Sequence, residues 1–150
     1  MPKVVDNREF SKDLEKRTRQ FAVKIIRVSV LLPNTPEARV IRNQITKSGT
    51  SIGANYREAN RARSKADFKN KIKICESEAS ETQYWLEVIV EAKWLPWEKI
   101  KPEYEECNEL LAHVNRKRNN NLDVKLQTPN FRYSKLSVNA AGLSPTYRPL

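Results

Sequence analysis

One histidine, His113, two cysteines, Cys75 and Cys107, and a scatter of acidic pairs are the side chains in this 150-residue chain from which catalysis or metal binding would have to be built. A lone imidazole supports neither a catalytic dyad nor a His-rich metal site without partners at a recognisable spacing. No such spacing occurs: there is no Gly-rich phosphate loop, no GxSxG, no HExxH and no paired-cysteine motif. His113 lies beside an apolar stripe, which makes it a structural side chain. Close acids such as Glu76 and Glu78, or Glu105 and Glu106, project in different directions from a helix and read as solvated faces. The cysteines fall at apolar-stripe positions and are expected as buried, reduced thiols. The expectation is a non-enzyme with no cofactor and no metal.

The cations are more informative. Lys and Arg number 28 against 18 acids, a net charge of +10, which serves solubility and also favours polyanionic partners. Between residues 57 and 73 stand seven cations, Arg57, Arg61, Arg63, Lys65, Lys69, Lys71 and Lys73, against Glu58 and Asp67. A second cluster is Arg116-Lys117-Arg118. At the end of a helix such a cluster complements the macrodipole, but Lys65 to Lys73 occupy a helix start, where positive charge is unfavourable. Cations placed against the dipole point to a partner. These ten residues are the candidate nucleic-acid contacts, expected to be independent of base sequence and weakened by salt.

The elements that position them read as helices almost throughout. Only Gly49, Gly53 and Gly142 occur, too few for the turns of a multi-stranded sheet. Leu14, Phe21, Ile25, Val28 and Leu32 share one face and predict a helix over about 11–32. After Pro33-Asn34-Thr35, Pro36 at a first helical position predicts a second over 36–61, capped by Thr35. Its inward stripe is read as Ala38, Ile41, Ile45, Ser48, Ile52, Asn55 and Ala59. Gly49 and Gly53 each cost roughly 1 kcal/mol in a helix interior, which a tight crossing with a neighbouring helix would offset. Ser64-Lys65-Ala66-Asp67 resembles a capping box opening a third helix over 65–95. Phe68, Ile72, Cys75, Ala79, Thr82, Leu86 and Ile89 form its seam, with Trp85, Val88, Ala92 and Leu95 beside it. A fourth, over 98–118, carries Ile100, Tyr104, Cys107, Leu111 and Val114.

Short connections between long helices make an all-α, antiparallel up-and-down four-helix bundle the expected fold. In that arrangement the ends of the second and fourth helices coincide, so the two basic clusters converge on one rim. The bundle is assigned to 11–118, with 1–10 as an extension and 119–150 as an irregular basic tail. In that tail Lys125, Arg132, Lys135 and Arg148 oppose Asp123, and Phe131, Tyr133 and Tyr147 lie between the cations. No apolar run approaches the ~18–20 residues of a membrane span, and residues 1–11 lack a signal peptide's apolar stretch. A cytoplasmic protein with no membrane partner is expected.

Ser51-Ile52-Gly53-Ala54-Asn55-Tyr56-Arg57-Glu58-Ala59, followed by Arg63-Ser64-Lys65-Ala66-Asp67-Phe68, resembles the four-helix-bundle family of 23S rRNA-intervening-sequence proteins. Ser51, Ile52, Ala54, Asn55, Glu58, Arg63, Ser64, Asp67 and Phe68 match its pattern; Ala59 stands where many members carry glycine. Glu81-Thr82-Gln83 with Trp85-Leu86 is also similar to that family's third helix. The resemblance covers about residues 11–115 and implies a ring-like homopentamer that binds nucleic acid without a known reaction. The same fold family includes the accessory variability determinant of diversity-generating retroelements, a basic pentamer that partners a reverse transcriptase and its template RNA. Ser51, Asn55, Glu58, Ser64, Asp67 and Phe68 are read as the structural motif, with Asn55 and Glu58 as a buried or interface polar pair fixing the helix hairpin.

The leading expectation is thus an oligomeric RNA- or DNA-binding accessory protein, with a reverse transcriptase as a possible partner. The alternatives are a protein-docking ring with no nucleic-acid contact of its own, or an rRNA-intervening-sequence protein of undefined role.

Overall fold

The computed structural model describes residues 6–123, which form four helices, α1 (Asn7–Ser29), α2 (Pro36–Asn60), α3 (Lys65–Glu91) and α4 (Trp97–Asp123), with no strand among them. Each of the first three starts on a side-chain cap that satisfies one of the orphan N–H groups of a first turn. Asp6 accepts from the Arg8 N–H, Thr35 from Ala38 with Pro36 behind it, and Ser64 from Asp67 at 3.0 Å. Successive helices pack as antiparallel neighbours, α4 closes against α1, and the backbones of the diagonal pairs do not come close. This is the up-and-down bundle.

The ends differ from expectation for local reasons. α3 stops at Glu91 rather than near Leu95 because Lys93 adopts a left-handed conformation, φ 60°. The Lys93 N–H then returns to the Val90 carbonyl and the Trp94 N–H to that of Ile89, at 2.9 and 3.1 Å. This is a Schellman closure with lysine where glycine is usual. It folds half-buried Trp94 back onto the core. α4 continues through Asn119–Asn121 to Asp123, since no glycine or proline interrupts the chain between Pro102 and Pro129. The expected tail therefore falls mostly on residues 124–150, which lie outside the described residues. α1 likewise begins within the expected extension, at Asn7, because Asp6 caps it there.

The core takes the expected stripes with three shifts. Leu14, Phe21, Ile25 and Val28 on α1 are buried, and so is Leu32 in the turn after it, since α1 ends at Ser29. On α2 the fully buried ring of Tyr56 lies where Asn55 was expected, and Asn55 and Ile41 are half-buried. On α4 Leu110, not Leu111, is fully buried. On α3 Phe68 stays half-buried, while Ile72 through Ile89 form the inner seam as read.

The small middle of α2 is a tight crossing. A Cβ on Gly49 would come within 2.7 Å of Ile25 Cγ2, and one on Gly53 within 3.0 Å of Thr18 Oγ1. Both neighbours are fully buried, so neither can swing aside. Close approach of α1 thus accounts for both glycines. On the other side of α2, buried Thr82 donates to Ser48 Oγ at 2.9 Å, so the small residues also carry a polar link to α3.

Candidate nucleic-acid interface

The C-terminus of α2, the N-terminus of α3 and the C-terminus of α4 meet at one end of the bundle, beside the start of α1. Lys117 shows this directly. Its Nζ, on α4, donates to Ser11 Oγ on α1 and to Asn60 Oδ1 on α2 at 2.8 Å, and lies 5.5 Å from the centre of the Tyr56 ring. Arg118 reaches α3, with Nη1 2.8 Å from Glu76 Oε1, an ion pair not aligned as a hydrogen bond. The two basic clusters do converge on one rim.

The ten candidate cations are not equivalent there. Four are engaged within the protomer. Lys117 is half-buried in the polar network above, and desolvation lowers its pKa, opposed by the charge of Glu15. Arg118 is paired with Glu76, Lys71 Nζ is 2.5 Å from Glu58, and Arg57 lies 3.8 Å from Glu15. Glu15 also accepts from Asn60 Nδ2 at 2.9 Å, which ties the start of α1 to the end of α2. The remainder face solvent. Arg61, Arg63, Lys69, Lys73 and Arg116 are exposed and make no ion pair among the described residues, and Lys65 is exposed in the first turn of α3.

The motif residues are placed as helix-hairpin parts. Ser64 is the α3 cap and Asp67 supplies the capped N–H; half-buried Phe68 packs on the core below them. Ser51 donates to the Lys47 carbonyl at 2.6 Å and Asn55 Nδ2 to the Ser51 carbonyl at 2.9 Å, both within α2. Asn55 and Glu58 do not bond to each other. Glu58 is exposed and crosses to Lys71 instead, so the hairpin is tied by an ion pair between α2 and α3. That pair explains part of the unfavourable charge at the start of α3: Glu58 is brought to it by the neighbouring helix.

The groups read as chemically silent are placed in the interior or against it. Cys75 and Cys107 are buried and free, and burial pushes both thiols up to about 12, far from a reactive thiolate. His113 is half-buried against Phe10, ring centroids 5.8 Å apart. Desolvation lowers its pKa, helped by Arg17 and Arg116. Arg17 forms a bidentate pair with Glu106, at 2.7 and 2.9 Å, and also bonds Glu109, tying α1 to α4. No three His, Cys, Asp or Glu groups come together as a metal-holding cluster among the described residues. No helix there is long and apolar enough to cross a membrane.

Residues missed in the sequence lie at the opposite end. Arg42, on α2, donates through Nε to the Ser29 carbonyl at 3.0 Å. Its Nη2 donates to those of Leu32 and Pro33 at 2.9 and 3.1 Å. It thereby closes the end of α1, a role no local spacing signals. Near it Val23, Ile26, Val30 and Leu31 of the first helix and its turn, and Val40 of α2, are exposed.

Residues 12–116 match the model of the 23S rRNA-intervening sequence protein family. A solved structure from Bacteroides thetaiotaomicron, a protein with unknown function from the S23 ribosomal protein family, superposes with a TM-score of 0.69. The two are 34% identical, over 73% of this chain and 98% of that one. No curated protein matches this sequence.

Proposed function

The chain belongs to the 23S rRNA-intervening sequence protein family, and from that premise we propose that it is a non-enzymatic, oligomeric nucleic-acid-binding accessory protein that holds phosphate backbones on the basic rim. The observation that carries this is the division among the cations: four are engaged inside the protomer while Arg61, Arg63, Lys69, Lys73 and Arg116 are left exposed without an ion pair among the described residues. A rim serving only the fold would not need those five. Exposed cations of this kind bind phosphates by releasing counterions, with affinity falling linearly in log–log against salt.

The partner is RNA or DNA bound with little sequence preference. Resemblance to the retroelement accessory proteins makes a template RNA, delivered to a reverse transcriptase, the finer form of the reading. Self-association uses the other end, where Val23, Ile26 and Val30 at steps of three and four give α1 an uncovered apolar strip; a pentamer is the assembly the resemblance implies. The same strip favours the second reading, a docking ring whose contacts are with protein alone.

The deciding measurement is fluorescence anisotropy of labelled RNA against the full chain at increasing salt. Binding with a steep negative salt slope is expected. Protein that retains no RNA at moderate salt, yet retains a reverse transcriptase, would leave the docking ring standing instead.

A further inference from the structure

The outward stripe of α3 begins in the basic rim and ends in a largely exposed aromatic side chain, Tyr84. Lys69, Lys73, Ser77, Ser80 and Tyr84 step four-four-three-four along the helix, opposite the buried seam of Ile72, Cys75, Ala79 and Leu86, and all five are exposed. Tyr84 is 56% exposed; its ring and that of its neighbour Trp85 meet edge to face, centroids 4.9 Å apart, and its hydroxyl has no hydrogen bond among the described residues. No acid lies on the stripe between Lys69 and Tyr84. The acids flanking it are occupied elsewhere: Glu76 by Arg118, Glu81 by the Trp85 indole N–H at 3.2 Å, and Glu87 by the Tyr104 hydroxyl at 2.8 Å.

Resting on the reading of the rim as a phosphate-binding surface, we infer that this stripe is a track for single-stranded nucleic acid: Lys69 and Lys73 hold the phosphates and Tyr84 stacks a base further along. Fifteen helical steps separate Lys69 from Tyr84, about 22 Å, so the strand is held at both ends of the stripe. Ser77 and Ser80 between them offer hydroxyls to the backbone. A cationic groove that tracks the backbone, with an aromatic face for the bases, is how single strands are held without sequence preference. A duplex keeps its base faces stacked inside and gives Tyr84 nothing to stack on, so the geometry selects the single strand.

The test compares wild type, Tyr84→Ala, Tyr84→Leu, Tyr84→Phe and a Lys69→Ala/Lys73→Ala double variant by anisotropy. The probes are a labelled oligouridine of about twelve nucleotides and an RNA duplex of equal length. Tyr84→Ala and Tyr84→Leu are expected to weaken the single strand roughly five- to twentyfold, with the salt slope and the duplex affinity unchanged. Tyr84→Phe keeps the ring and keeps the affinity. The double lysine variant lowers the salt slope by about two units on both probes. Single-strand binding that depends on the lysines but is indifferent to Tyr84 would sink the track and leave the rim intact. A change in oligomer mass on Tyr84→Ala would also overturn it, making Tyr84 a subunit contact. If the wild type binds neither probe, the reading of the rim itself fails.

Discussion

The two ends of this bundle are closed by opposite means. At the end where α2 hands over to α3, closure is polar: Lys117 bridges Ser11 and Asn60, Glu15 takes Asn60, and Glu58 and Glu76 each take a cation from a neighbouring helix. At the other end Arg42 satisfies the last carbonyls of α1 and the turn after it, and a Schellman closure seats Trp94 while the Trp97 ring meets Tyr104 edge-on, centroids 5.4 Å apart. What each leaves uncovered differs as well. The first leaves Arg61, Arg63, Lys69, Lys73 and Arg116 exposed; the second leaves Val30, Leu31 and Val40 in solvent. The exposed cations and the exposed apolar side chains thus lie at opposite ends of the bundle.

Breaking the basic end should have the largest effect. Reversing Lys65, Lys69 and Lys73 to Glu is expected to weaken RNA binding by roughly a hundredfold at low salt, while the Tm stays put because none of the three lies in the core. The same RNA titration on Ile26→Asp/Val30→Asp should show unchanged binding per protomer but a smaller assembly by light scattering. Equal loss of RNA from both variants would show that the ends are not separable.

Closure itself comes next. Arg42→Ala removes a charged donor from three carbonyls and should cost about 2 kcal/mol in urea unfolding. Arg118→Ala removes one partly exposed ion pair and should cost under about 1 kcal/mol, so the polar end is predicted to be the more tolerant of single losses. Between the ends, Gly49→Ala should destabilise by about 1–3 kcal/mol through overpacking against Ile25, reversing the usual helix-propensity gain of alanine.

The smallest effect is one of pH. His113 has a folded pKa below its ordinary value of 6.5. The unfolded chain therefore binds the proton first as the pH falls, and stability is lost on acidification from about 6.5 through the lower folded value. The urea midpoint should drop between pH 7.5 and 5.5, and His113→Gln should flatten part of that drop. An unchanged slope in the variant would assign the loss to groups other than His113; Glu78 is not among them, because burial raises its pKa and a carboxyl so shifted adds stability as the pH falls.

Much of this was legible along the chain because it depends on local spacing. The α1 stripe, the Thr35 and Ser64 caps and the convergence of the basic clusters all follow from a 3.6-residue period and antiparallel connections. The misreadings share a cause. Asn55 and Tyr56, like Leu110 and Leu111, are adjacent pairs about 100° apart on a helix; periodicity places the stripe to within a residue, and only the packed neighbour selects which member enters. Lys93 in a left-handed turn gave no sign, since glycine is the residue that marks such positions.

Sequence alone determined four helices, their order and the gathering of positive charge at one end, because each is a sum of local preferences or of simple counting. Tertiary structure decided which cations remain available. Lys117, Arg118, Lys71 and Arg57 look no different from Lys69, Lys73 and Arg61 in the chain, yet the first four meet acids or polar groups on other helices. A charge becomes a binding group only when the fold leaves it without a nearer partner, and that depends on which helices are neighbours.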